Sequence, residues 1–168
     1  MPKRMENGTE IEVNNADILV LQRVFYAMQD VCMTEERCQW EEDRMLSISQ
    51  RLTGMGGGKG VPRGLESGLA AIEQADKKHR SSLKKYQSEL EAADRILSGI
   101  ENPNMRTFVI LLYVMMLPGE EVRKRLNMTE YGFKRARRLI EEAENMAQAE
   151  WTDRYVLRKK SGQGGKNT

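Results

Sequence analysis

Between Arg123 and Arg138 the chain places seven basic side chains, Arg123, Lys124, Arg125, Lys134, Arg135, Arg137 and Arg138, against one acid, Glu130. That is a net +6 over sixteen residues. Guanidinium and ammonium groups at this density do the chemistry of phosphate: they displace counterions from a polyanion and hold its oxygens by charge-assisted hydrogen bonds. The rest of the chain does not share the bias. Residues 1–64 carry 8 basic and 10 acidic side chains, residues 65–104 carry 6 and 7, and residues 105–168 carry 13 and 8. Over 168 residues the net charge is only +2, so the positive field is local.

Other chemistries find little to stand on. There is one histidine, His79, and there are two cysteines, Cys32 and Cys38, too far apart around a helix to bridge within it. No Ser-His-Asp or Cys-His arrangement and no metal-ligand spacing is present, so neither catalysis nor a cofactor nor a metal is expected. Gly58-Lys59 has the look of a phosphate loop, but Thr53 stands where that loop needs its first glycine, and Gly60 where it needs Ser or Thr. The acids Glu35, Glu36, Glu41, Glu42 and Asp43 read as a solvated helix surface.

The expected fold is all-α: a long helical, coiled-coil-like arm or hairpin followed by a C-terminal helix-turn-helix domain. Residues 1–53 are expected to form a loose polar tail, with Asn14-Asn15 as caps, and then a long helix from about Ala16 in which Val24, Val31, Cys38, Met45 and Leu52 recur every seven residues. Residues 54–64, with six glycines and one proline, are a linker. Residues 65–101 hold a heptad helix along Leu65, Leu69, Ile72, Asp76, His79, Leu83, Tyr86, Leu90, Ala93 and Leu97. Leu69, Ile72, Leu83, Tyr86, Leu90 and Leu97 are the candidate oligomerisation residues, and the helices can pair within one chain or between two copies.

Residues 102–150 are the candidate helix-turn-helix domain. Asn102-Pro103-Asn104 stops one helix and caps a short buried one, Met105 to Leu117. Glu120 to Leu126 supports two turns, Asn127-Met128-Thr129 a tight turn with Asn127 left-handed, and Glu130 onward a helix to about residue 150. With Val122, Leu126, Met128, Phe133 and Ala136 turned inward, the outward positions are Glu130, Tyr131, Lys134, Arg135, Arg137 and Arg138. A helix so equipped suits the DNA major groove. Lys134 and Arg135 can reach guanine edges, with Tyr131 and Glu130 nearer the groove floor, while Arg123, Lys124 and Arg125 and the basic tail, residues 151–168, suit phosphates. Thr129 caps the helix, and the candidate DNA-binding set comprises these residues with Thr129.

From about Gly60 to Ala147 the chain also resembles the phage regulators of late and packaging genes, the ArpU-like and RinA-like group, whose end is similar to region four of bacterial sigma factors. The likeness lies in the Gly-rich break, a long helix ending Ile96-Leu97-Ser98-Gly99-Ile100, then Arg106 to Val114, then Glu120-Glu121-Val122 to Leu126-Asn127-Met128-Thr129 and a basic helix. Arg123 departs from it, standing where such motifs favour a small residue. The resemblance implies sequence-specific binding of double-stranded DNA and transcriptional regulation in concert with host RNA polymerase. It gives the cytoplasm of a bacterial host as the expected location. With no apolar run long enough to span a bilayer, no membrane association is expected. Two other tasks fit the same residues: recognition of a packaging site, as by small terminase subunits, and protein-binding inhibition of a nucleic-acid enzyme.

Overall fold

The computed structural model describes residues 4–6, 9–11, 13–53 and 64–157. The linker expected at 54–64 lies outside these residues except for Gly64, and so does the basic tail beyond 157. Two short strands, β1 (Arg4–Glu6) and β2 (Thr9–Ile11), pair antiparallel, with Arg4 opposite Ile11. This ribbon replaces the loose tail expected there. All other regular elements are helical: α1 (Ala16–Thr53), α2 (Leu65–Ser98), α3 (Pro103–Val109), α4 (Gly119–Leu126) and α5 (Glu130–Glu142). No described helix is long and apolar enough to cross a membrane.

The chain divides into two compact units, one formed by Met1–Phe25 with Ala92–Thr168 and the other by Tyr26–Glu91. The second is an antiparallel hairpin of α1 and α2. Met45 lies against Gly68, Thr34 bonds His79, and Asp30 pairs with Lys85, so numbers rise along one helix as they fall along the other. Pairing is therefore within one chain. The seam consists of Ala27, Val31, Thr34, Cys38, Glu41 and Met45 on α1, and of Gly68, Ile72, Ala75, His79, Ser82 and Tyr86 on α2, all buried or half-buried.

That seam corrects the one read from the heptads. Ile72, His79 and Tyr86 take their expected places, but Gly68, Ala75 and Ser82 stand where Leu69, Asp76 and Leu83 are expected, and Leu69, Leu83 and Leu90 are exposed. A seven-residue repeat fits two neighbouring stripes of one helix equally well. Small residues decide between them by letting the backbones approach. At Gly68 the Met45 thioether occupies the space a Cβ would need.

Glu41 is a second correction. It is 2% exposed in the seam rather than on a solvated face. Arg37 Nη2 bonds its Oε1 at 2.6 Å and Arg44 Nε lies 3.8 Å from its Oε2, the ion pairing that a buried carboxylate requires.

In the other unit the start of α1 is fastened to the far end of α5. Asn15 caps α1 by accepting from the Asp17 N–H at 3.0 Å, and its Nδ2 donates to the Ile140 carbonyl at 3.0 Å. The Asn14 N–H donates to the Glu141 carbonyl, and Asp17 accepts from the Met146 N–H. The core that results is built from Leu21, Ile100, Phe108, Val122, Ala136 and Ile140, with Phe108 touching both Phe133 and Trp151. Residues 16–25 thus belong with the helix-turn-helix, a join that no local pattern announces.

Candidate nucleic-acid interface

Asn102 caps α3 by accepting from the Asn104 and Met105 N–H groups. The helix runs on only as a π-helical turn, Ile110–Val114, and ends short of the expected Leu117. The chain reverses through Met116, whose φ is 54°, with the Leu117 N–H donating back to the Leu111 carbonyl. Pro118 then opens α4, and Gly119 sits so close to Phe133 that a Cβ would meet the ring at 2.8 Å.

The α4–α5 pair has the turn its sequence implies. Asn127 is left-handed at φ 52°, ψ 51°, a conformation asparagine tolerates, and Met128 is buried. Thr129 caps α5, its Oγ1 accepting from the Gly132 N–H at 3.0 Å. Val122, Met128, Phe133 and Ala136 are buried together, and Leu126 is half-buried. The C-terminal segment clamps the turn: Leu157 N–H donates to the Asn127 carbonyl, Asn127 Nδ2 donates to the Leu157 carbonyl, and Met128 bridges Val156. A Cβ on Gly132 would lie 3.0 Å from the Tyr155 carbonyl, so that segment crosses the first turn of α5.

These contacts leave one stripe of α5 facing solvent: Glu130, Tyr131, Lys134, Arg135 and Arg138. Tyr131 is 72% exposed and its hydroxyl accepts from Arg135 Nη1 at 3.2 Å. Lys124 and Arg125 are exposed on α4. Seven of the ten candidate DNA-binding residues are therefore exposed on α4 and α5. Thr129 serves the helix end, although it too is exposed.

Two assignments change. Arg137 is not outward. It is buried, and its Nε donates to Glu141 Oε1 at 2.8 Å, where the Tyr113 hydroxyl also reaches at 3.5 Å. Beside α4, the second half of α5 meets Tyr113 of the π-helical turn at Glu141 and Asn14 and Asn15 at Glu141 and Ile140, so its buried arc is wider than a two-helix packing implies and takes in position 137. Arg123 is half-buried, with a buried Nε that lacks a hydrogen-bond partner, rather than fully exposed.

The exposed cations also carry partners one turn away. Lys124 pairs with Glu120 at 3.1 Å, Arg125 with Glu121 at 2.8 Å, Lys134 with Glu130 at 2.9 Å, and Arg138 with Glu142 at 2.9 Å. The hydrogen bond from Lys134, then its charge and that of Arg123, hold the Glu130 carboxyl below its ordinary range. The sixteen residues from Arg123 to Arg138 include only Glu130 of these acids; Glu120, Glu121 and Glu142 lie just outside. Helix α5 ends at Glu142, with a single 3-10 turn at Met146–Gln148, rather than running to about residue 150.

Among the described residues no group of His, Cys, Asp and Glu is placed to hold a metal ion. No family model matches the chain, and no curated protein or solved structure matches it.

Proposed function

We propose that this chain binds double-stranded DNA through α5, as a regulator of transcription of the phage type. The observation that carries the reading is the solvent-facing stripe Glu130, Tyr131, Lys134, Arg135 and Arg138 on a helix whose start is capped by Thr129 and whose opposite face is fixed in a core. A rigidly held helix that exposes long basic side chains along one line can lie in a major groove, with phosphate contacts from Lys124 and Arg125 on α4. The concert with host RNA polymerase and the choice of late or packaging genes come from the family resemblance alone.

A second reading is favoured by the four ion pairs. Cations already matched by Glu120, Glu121, Glu130 and Glu142 present a mixed-sign surface, which also suits a protein partner. Selection of bound fragments from genomic DNA over a salt series separates the two. Enrichment of one site that persists at physiological salt supports a specific DNA reader. Affinity that vanishes with salt and enriches nothing overturns it in favour of a protein-binding role.

A further inference from the structure

The hairpin has two flanks of opposite character. On one, Lys85 reaches across to Asp30 at 3.5 Å, and the Arg37 and Arg44 guanidiniums lie over the Trp40 ring at 4.5 and 5.6 Å. Heptad spacing from these contacts adds Arg51 and Lys78, so five cations line this flank, against Asp30 and the seam carboxylate Glu41 that Arg37 and Arg44 share. Tyr26, Met33 and Trp40, seven residues apart, lie along this flank and are 55%, 68% and 50% exposed.

The opposite flank carries the acids. Glu35, Glu42 and Asp76 gather around Cys38, whose thiol is pushed up first by partial burial and then by these three carboxylates. Glu66 and Glu73 follow on α2 by the same spacing, and Arg80, paired with Asp76 at 2.7 Å, is the one cation. Along it run Leu69, Leu83 and Leu90, at 55%, 43% and 40% exposure, with Met28 at 41% from α1. These are the leucines that the seam leaves out.

We propose that the hairpin associates side to side with a second copy of this chain, the acidic, leucine-bearing flank of one against the basic, aromatic-bearing flank of the next. Each flank supplies what the other lacks: five acids against five cations, and an aliphatic stripe against a Tyr-Met-Trp stripe at the same seven-residue interval. Like flanks meeting would set a net excess of one sign against the same sign, since the ion pairs to Glu41, Asp30 and Arg80 offset only part of each flank's charge, which opposes a two-fold contact through either flank alone. A contact between two different surfaces does not cap the assembly at two copies, and it either closes into a ring or extends. This association is independent of DNA binding.

The test uses the full chain, loaded at about 100 µM for sedimentation equilibrium. Wild type sediments above monomer mass at low salt, and the mass falls as salt rises. Trp40→Ala with Lys78→Glu breaks the basic flank, and Leu69→Ser with Glu73→Lys breaks the acidic one. Each variant alone is monomeric with unchanged helicity, and an equal mixture of the two forms a one-to-one dimer through the two intact flanks. As a check that needs no variant, carbodiimide coupling of mixed 14N and 15N wild-type chains links Lys78 or Lys85 of one isotope to Glu35, Glu73 or Asp76 of the other. A monomeric wild type, an assembly that survives either variant, or a mixture that stays monomeric overturns the proposal.

Discussion

Replacing Lys134, Arg135 and Arg138 by alanine is the sharpest test of the α5 surface, because its size can be worked out beforehand. Five cations are exposed on α4 and α5: Lys124, Arg125, Lys134, Arg135 and Arg138. If each neutralises one phosphate, the logarithm of affinity falls with that of salt at a slope of about −4.5. Raising salt from about 50 to about 200 mM then weakens binding roughly five-hundredfold. The triple variant keeps two contacts, a slope of about −1.8 and a roughly twelvefold loss over the same range. The three side chains are exposed, and surface ion pairs contribute little to stability, so helicity and Tm should barely move. Fluorescence anisotropy of a labelled duplex across the salt range reads the slopes, and circular dichroism checks the fold. A wild-type slope near zero, or a triple variant with an unchanged slope and affinity, refutes α5 as the DNA-facing element.

Arg137 should behave in the opposite way. Arg137→Met leaves Glu141 buried without its cation, a loss of roughly 3–5 kcal/mol in urea unfolding, most of it recovered by adding Glu141→Leu. A stable single variant would show that the pair is not buried as described. Gly132→Ala presses a methyl group against the Tyr155 carbonyl and Thr129 Oγ1, and should cost about 1–3 kcal/mol. Faster proteolysis after residue 150 would locate that strain in the clamp. Alkylation of Cys38 should need higher pH than that of exposed Cys32, since burial and the charges of Asp76, Glu42 and Glu35 raise the Cys38 thiol. A raised thiol keeps its proton longer folded than unfolded. Its contribution to stability is therefore full below the ordinary thiol range and is lost as pH climbs through that range to the raised value. Mass spectrometry of peptides alkylated across a pH series, together with urea melts at the same pH values, checks both statements.

The sequence by itself determined the elements and the turn. The Asn102 and Thr129 caps, and Asn127 in the left-handed conformation its turn demands, are local effects, set within a few residues of chain, and each stands where the pattern puts it. The line Lys134, Arg135, Arg138 was legible for the same reason: once Phe133 and Ala136 face inward, helical geometry fixes what faces out. Only the tertiary structure decided the rest. Which of two heptad stripes on α2 becomes the seam depends on how close α1 can come, and Gly68, Ala75 and Ser82 settle that against the leucines. Arg137 is buried because the π-helical turn with Tyr113 and the start of α1 widen the covered arc of α5, and the first turns of α1 join this domain through Asn14, Asn15 and Asp17. The contacts of Asn14, Asn15 and Asp17 link residues more than a hundred positions apart, and no periodicity within a helix encodes a partner at that distance.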